Sequence, residues 1–128
     1  MSKEVVRTEN APAPFQGAPY SQAIKANGFV FLAGQLGLIP GEGKIVTGGI
    51  SEQTEQVFKN ISAILEAAGT SLDRIVKTSV FLQDMGDFAA MNEVYAKHVG
   101  DKPPARSTFQ VAGLPSAALV EIEVVALA

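Results

Sequence analysis

Arg106 and Glu121 are the residues of this 128-residue chain whose types and setting best fit chemistry on a small acid. Arg106 follows the break at Pro103-Pro104 in PPARSTFQVAGLP (103–115) and heads a strand-like run. A guanidinium is a rigid fork of donors that matches a carboxylate. Glu121 arrives in ALVEIEVVALA (118–128) and offers a proton acceptor or a group that orients water. The plainer reading makes both rim charges, solvated or joined in a surface salt bridge worth under about 1 kcal/mol. Against it, each charge interrupts an apolar strand. A hairpin about Gly113-Leu114-Pro115 would bring the two to one face, but spacing alone leaves the register open.

The remaining chemistry is sparse. His98 is the single histidine and there is no cysteine, so disulfides, thiolate nucleophiles and clustered transition-metal sites are excluded. His98 falls in the last turn of a helical pattern, where the helix dipole accounts for an imidazole. GLIPGEGK (37–44) fails the phosphate-loop pattern because Ile45 follows Lys44 and the first glycine is misplaced. Ten basic against thirteen acidic residues give a net charge of −3, with no basic run to neutralise phosphates, so nucleic acid is not an expected partner. No apolar run has the length of a membrane span, and MSKEVVRTENAPAP has neither a signal nor a transit pattern. The expectation is a cytoplasmic protein.

The elements that must position Arg106 and Glu121 follow from periodicity. With 128 residues, no repeat and no linker, the chain reads as one domain, residues 1–128. APAPFQGAPYSQ (11–22) is irregular, and Asn27-Gly28 between apolar runs signals a tight hairpin. Residues 37–49 form a Gly-rich loop. Ser51 is the expected cap of a helix with Glu52 and Glu55 in its first turn. Val57, Ile61, Ile64, Leu65 and Ala68 line one face of that helix, and Gly69 ends it. RIVKTSVFLQD (74–84) is strand-like. Asp84 or Asp87 opens a second helix with Phe88, Met91, Tyr95 and Val99 on one stripe, stopped by Gly100, Pro103 and Pro104. Strands over 105–111 and 118–127 close the chain.

This order predicts an α+β fold with both helices on one face of a sheet. On the last strand Val120, Ile122, Val124 and Ala126 make one face. Glu121, Glu123, Val125 and Leu127 make the other, which starts charged and turns apolar. Such a face calls for a partner, and only 18% of the residues are charged, so the expectation is a homo-oligomer.

GAPYSQA (17–23), FLAGQLGL (31–38), VKTSVFLQDMGDFAAMNEVYAKHV (76–99) and PPARSTFQVAGLP with EIEVVALA resemble the YjgF-type Rid family, the reactive intermediate deaminases. The likeness spans nearly the whole chain and is greatest to the RidA-like subgroup of 2-iminobutanoate/2-iminopropanoate deaminases. The resemblance implies a chorismate-mutase-like fold, a mixed sheet with two helices on one face, and a homotrimer with clefts between subunits. It also implies that the 74–84 strand separates the last two strands, against the hairpin.

By the same resemblance Arg106 binds the substrate carboxylate and Glu121 positions or activates water. Tyr20, Gly34, Asn92 and Thr108 line the cleft, with no metal and no cofactor. The implied activity is hydrolysis of enamine and imine intermediates to 2-oxo acids and ammonia. The alternatives are a non-catalytic trimer that binds small carboxylates and, third, an endoribonuclease. The chain departs from the family pattern at Ala33, where many members carry serine, and at Thr108, where cysteine is frequent.

Overall fold

The computed structural model describes residues 2–128. Its strands are β1 (Glu4–Val6), β2 (Ala23–Ala26), β3 (Phe29–Leu36), β4 (Ile75–Leu82), β5 (Ala105–Gln110) and β6 (Val120–Leu127). Its helices are α1 (Ile50–Ala67) and α2 (Phe88–Val99). The strands form a six-stranded sheet in the order β1-β2-β3-β6-β4-β5. Of these strand pairs β4–β5 is parallel and the others are antiparallel, and α2 supplies the crossover that a parallel pair needs.

The local signals explain most of these elements. Asn27 (φ 51°) and Gly28 (φ 83°) occupy the two left-handed positions of a tight turn, which fixes Ala26 opposite Phe29. Gly69 (φ 86°) ends the first helix, as expected. That helix begins earlier than the sequence suggests. Gly49 is the N-cap and Ser51 lies inside the first turn. The cause is Glu52, whose Oε1 accepts the Gly49 N–H at 2.8 Å, so a side chain from within the helix does the capping. Asp84 caps the single turn 85–87 through the Gly86 N–H, and Asp87 is the N-cap of α2. The short strand β1 was not expected from the sequence. It pairs with β2, and Gln22 fastens the chain behind it: its amide donates to the carbonyls of Thr8, Ala11 and Pro12 and accepts the Thr8 N–H.

The core lies between the helices and one sheet face. Val57, Ile61, Ile64 and Leu65 of α1 are buried against Val30, Val80, Val120 and Ile122. Each such side chain contributes about 1.5–3 kcal/mol over its exposed alternative. His98 does more than meet the helix dipole. Its Nε2 lies 2.7 Å from Glu55 Oε1, and its ring stacks on Phe58 with centroids 4.6 Å apart. The helices are thereby tied together on the solvent side.

The two sides of β6 differ as the sequence indicated. Val120, Ile122, Val124 and Ala126 are buried, whereas Glu121, Glu123, Val125 and Leu127 point away from the helices. Phe31 (45%) and Phe109 (52%) lie exposed on that same side. β4 sits between β5 and β6, which rules out a hairpin from 105 to 127. No helix among the described residues is long and apolar enough to cross a membrane.

Candidate functional site

Sheet register places the expected site residues in two groups. Arg106 pairs with Thr78 on β4, and Thr78 pairs with Val124 on β6. Both neighbours are buried toward the helices, so Arg106 also faces them. Its guanidinium Cζ lies 4.7 Å from the centroid of the Tyr95 ring and 5.5 Å from that of Phe88. Asn92 stands on the same stripe of α2, one turn after Phe88 and three residues before Tyr95. Asn92, Tyr95, Val99, Pro103 and Arg106 line an open hollow of about 310 Å³. Thr108 follows Arg106 by two residues and shares its face.

This group is rich in unused polar capacity. Asn92 Oδ1 and Thr108 Oγ1 are buried without a hydrogen-bond partner. Arg106 has no carboxylate within 4 Å among the described residues, where the ion pairs are Lys44–Glu42 and His98–Glu55. Buried polar atoms without partners are costly and uncommon, and here two of them stand beside a guanidinium that has no carboxylate partner.

The second group lies on the opposite face. Glu121 pairs with Leu36 and Phe81 at the start of β6. On β3 the register slips between Leu32 and Gln35, and the displaced backbone brings Gly34 against the Glu121 side chain. A Cβ at Gly34 would lie 2.8 Å from Glu121 Cδ and closer still to Oε2, so any larger residue there must displace the Glu121 carboxylate from this position. Glu121, Gly34 and Tyr20 line a cavity of about 380 Å³, whose apolar wall includes Phe15, Leu36 and Leu38. Burial, reinforced by the charge of Glu123, raises the Glu121 carboxyl above its ordinary pKa. Tyr20 is anchored at the mouth because its hydroxyl accepts the Phe15 N–H at 2.6 Å. Ala33 lines the cavity, so at that departure from the family pattern the site has no side-chain hydroxyl.

The structure therefore brings Arg106, Asn92 and Thr108 together, and separately Glu121, Gly34 and Tyr20. It does not unite the two groups, because the sheet lies between them. One copy cannot hold Arg106 and Glu121 on the same small substrate, and sequence spacing could not reveal this. Tyr95 and Phe88 were legible only as an apolar stripe, since nothing local marks a core aromatic as the floor beneath a charge. Among the described residues no three His, Asp or Glu side chains gather as a metal ion would require.

Comparison with known proteins agrees with this architecture. The family described as endoribonuclease L-PSP matches residues 8–128. The chain belongs to that family, the YjgF-type Rid proteins. Reactive Intermediate Deaminase A, chloroplastic, of Arabidopsis thaliana is 54% identical, over 98% of this chain and 66% of its own length. The 2-iminobutanoate/2-iminopropanoate deaminase of Mus musculus is 42% identical, over 98% of this chain and 91% of its own. Among solved structures, E. coli TdcF with bound serine superposes with a TM-score of 0.89 at 36% identity, covering 98% of each chain.

Proposed function

We propose that the chain is an imine deaminase that hydrolyses the C=N bond of short 2-imino acids, 2-iminopropanoate and 2-iminobutanoate, in a cleft assembled from two copies in a cytoplasmic homotrimer. The observation that carries this reading is the division of the site. An unpaired guanidinium with idle polar neighbours stands on one sheet face, and a partly desolvated carboxylate on the other. Each is half of a site for a small acid. The open sheet face, with Phe31 and Phe109 exposed among its charges, supports the association that would bring the halves together. The printed names of the Arabidopsis and mouse relatives support imine chemistry, and serine bound to TdcF supports a ligand with a carboxylate.

The mechanism follows from the groups present. Arg106 of one copy grips the substrate carboxylate through paired, charge-assisted hydrogen bonds worth about 1.5–3 kcal/mol each. Asn92 Oδ1 and Thr108 Oγ1 take up the remaining polar positions. Glu121 of the neighbouring copy holds a water beside the protonated C=N carbon and accepts its proton as the C–O bond forms. Glu121 returns that proton to nitrogen, and the C–N bond then breaks as the new hydroxyl gives its own proton back to Glu121, leaving the 2-oxo acid and ammonia. The iminium carbon is already electrophilic, so positioning and one acid–base group, worth roughly 10² to 10⁴ in rate, suffice without a cofactor or metal.

The test is imine decay, with the imine generated in situ by a threonine dehydratase or an amino-acid oxidase. Arg106→Ala should lose the acceleration while the assembly persists; unchanged kinetics would defeat the assignment. Binding of 2-oxobutanoate with no effect on imine decay would favour the non-catalytic binder. RNA cleavage that depends on Arg106 and Glu121 would favour the nuclease that the family's description names.

A further inference from the structure

Arg106 lacks the partner that usually fixes a half-buried guanidinium. It has no carboxylate within 4 Å among the described residues, yet it is held over two aromatic rings of α2. The nearer ring, Tyr95, is itself immobilised. Its hydroxyl lies 2.7 Å from Thr78 Oγ1 in the buried interior, and Phe58 packs edge-on against it with centroids 5.5 Å apart. Thr78 is also the residue beside Arg106 in the β4–β5 register. One strand position thus fixes both the backbone beneath the charge and the ring that supports it.

The two ways of holding an arginine differ in what they leave free. A salt bridge occupies the in-plane N–H donors. An aromatic face attracts the cation through its flat side and leaves the edge donors available. From this geometry we infer that Tyr95, seated by Thr78 and assisted by Phe88, is a positioning residue that pre-orients Arg106 for a planar carboxylate. The inference rests on the proposed role of Arg106 as the carboxylate anchor. Its basis is the pre-organisation of a flexible side chain before binding, which removes part of the ordering cost from association.

The experiment measures binding of 2-oxobutanoate by calorimetry and imine hydrolysis by steady-state kinetics. Wild type is compared with Tyr95→Leu, Tyr95→Phe, Phe88→Leu and Arg106→Ala. Tyr95→Leu removes the ring and should weaken binding about tenfold, with the same rise in KM and a smaller change in kcat. Tyr95→Phe keeps the ring and loses only the Thr78 hydrogen bond, so it should bind within about twofold of wild type although less stable to heat. A structural role alone would make both variants fall with stability. Phe88→Leu should weaken binding about threefold; it decides the matter by itself if Tyr95→Leu fails to fold, and wild-type affinity then overturns the inference. Wild-type affinity in a folded Tyr95→Leu overturns the inference while leaving the anchor intact. Wild-type affinity in Arg106→Ala overturns the anchor and the inference with it.

Discussion

Gly34 and Glu121 carry the sharpest constraint at the scale of single residues. Gly34 does not use the left-handed backbone freedom of glycine; its missing Cβ leaves the space that the Glu121 carboxylate occupies. Gly34→Ala should therefore displace the carboxylate and lower imine hydrolysis at least about tenfold while the fold survives, measured as kcat/KM beside thermal unfolding. The raised pKa of Glu121 gives a second outcome. The base must be ionised to accept a proton from water. The acid limb of kcat/KM should accordingly lie above the ordinary glutamate value, with activity lost as pH falls through it, and Glu121→Gln should abolish that limb along with most of the rate. The stability effect has the opposite sense. The folded chain holds this proton to higher pH than the unfolded chain does, so the contribution to stability is full below the unfolded pKa. It is lost as pH rises through the folded pKa, and Glu121→Gln should flatten that slope.

Elements position these residues through a few buried polar ties. Asn60 of α1 donates through Nδ2 to the carbonyls of Leu36 (3.1 Å) and Leu38 (2.9 Å), fixing the end of β3 just beyond Gly34. Gln53 does the same for the approach to β6 by accepting the Leu119 N–H. Asn60→Ala would remove both of these buried hydrogen bonds and should destabilise the fold by about 1–3 kcal/mol in chemical denaturation. The helices, the Asn27-Gly28 hairpin and the strands from β2 to β6 were legible because their signals are local: apolar period, turn residues and helix stops. The cap at Gly49 and strand β1 were not. One depends on Glu52 reaching back, and the other on a three-residue strand finding an edge. Arg106 and Glu121 stood out as charges within apolar strands. Their separation by β4 and by the sheet itself is a fact of long-range register, which no short motif encodes.

The whole molecule explains why the halves are separate. In the proposed trimer, the sheet face that carries Glu121 together with the exposed Phe31 and Phe109 meets the α2–β5 side of the next copy. On the function proposed here, each working cleft takes Arg106 from one copy and Glu121 from another. The most direct test co-expresses Arg106→Ala and Glu121→Ala chains under different tags and purifies only assemblies carrying both. Each variant alone should be inactive in imine hydrolysis. Mixed assemblies should regain up to about a third of wild-type activity, since any closed ring of three that carries both variants has one cleft in three with an intact arginine and an intact glutamate. Verified mixed assemblies as inactive as either parent would show that no cleft is shared between copies in this way.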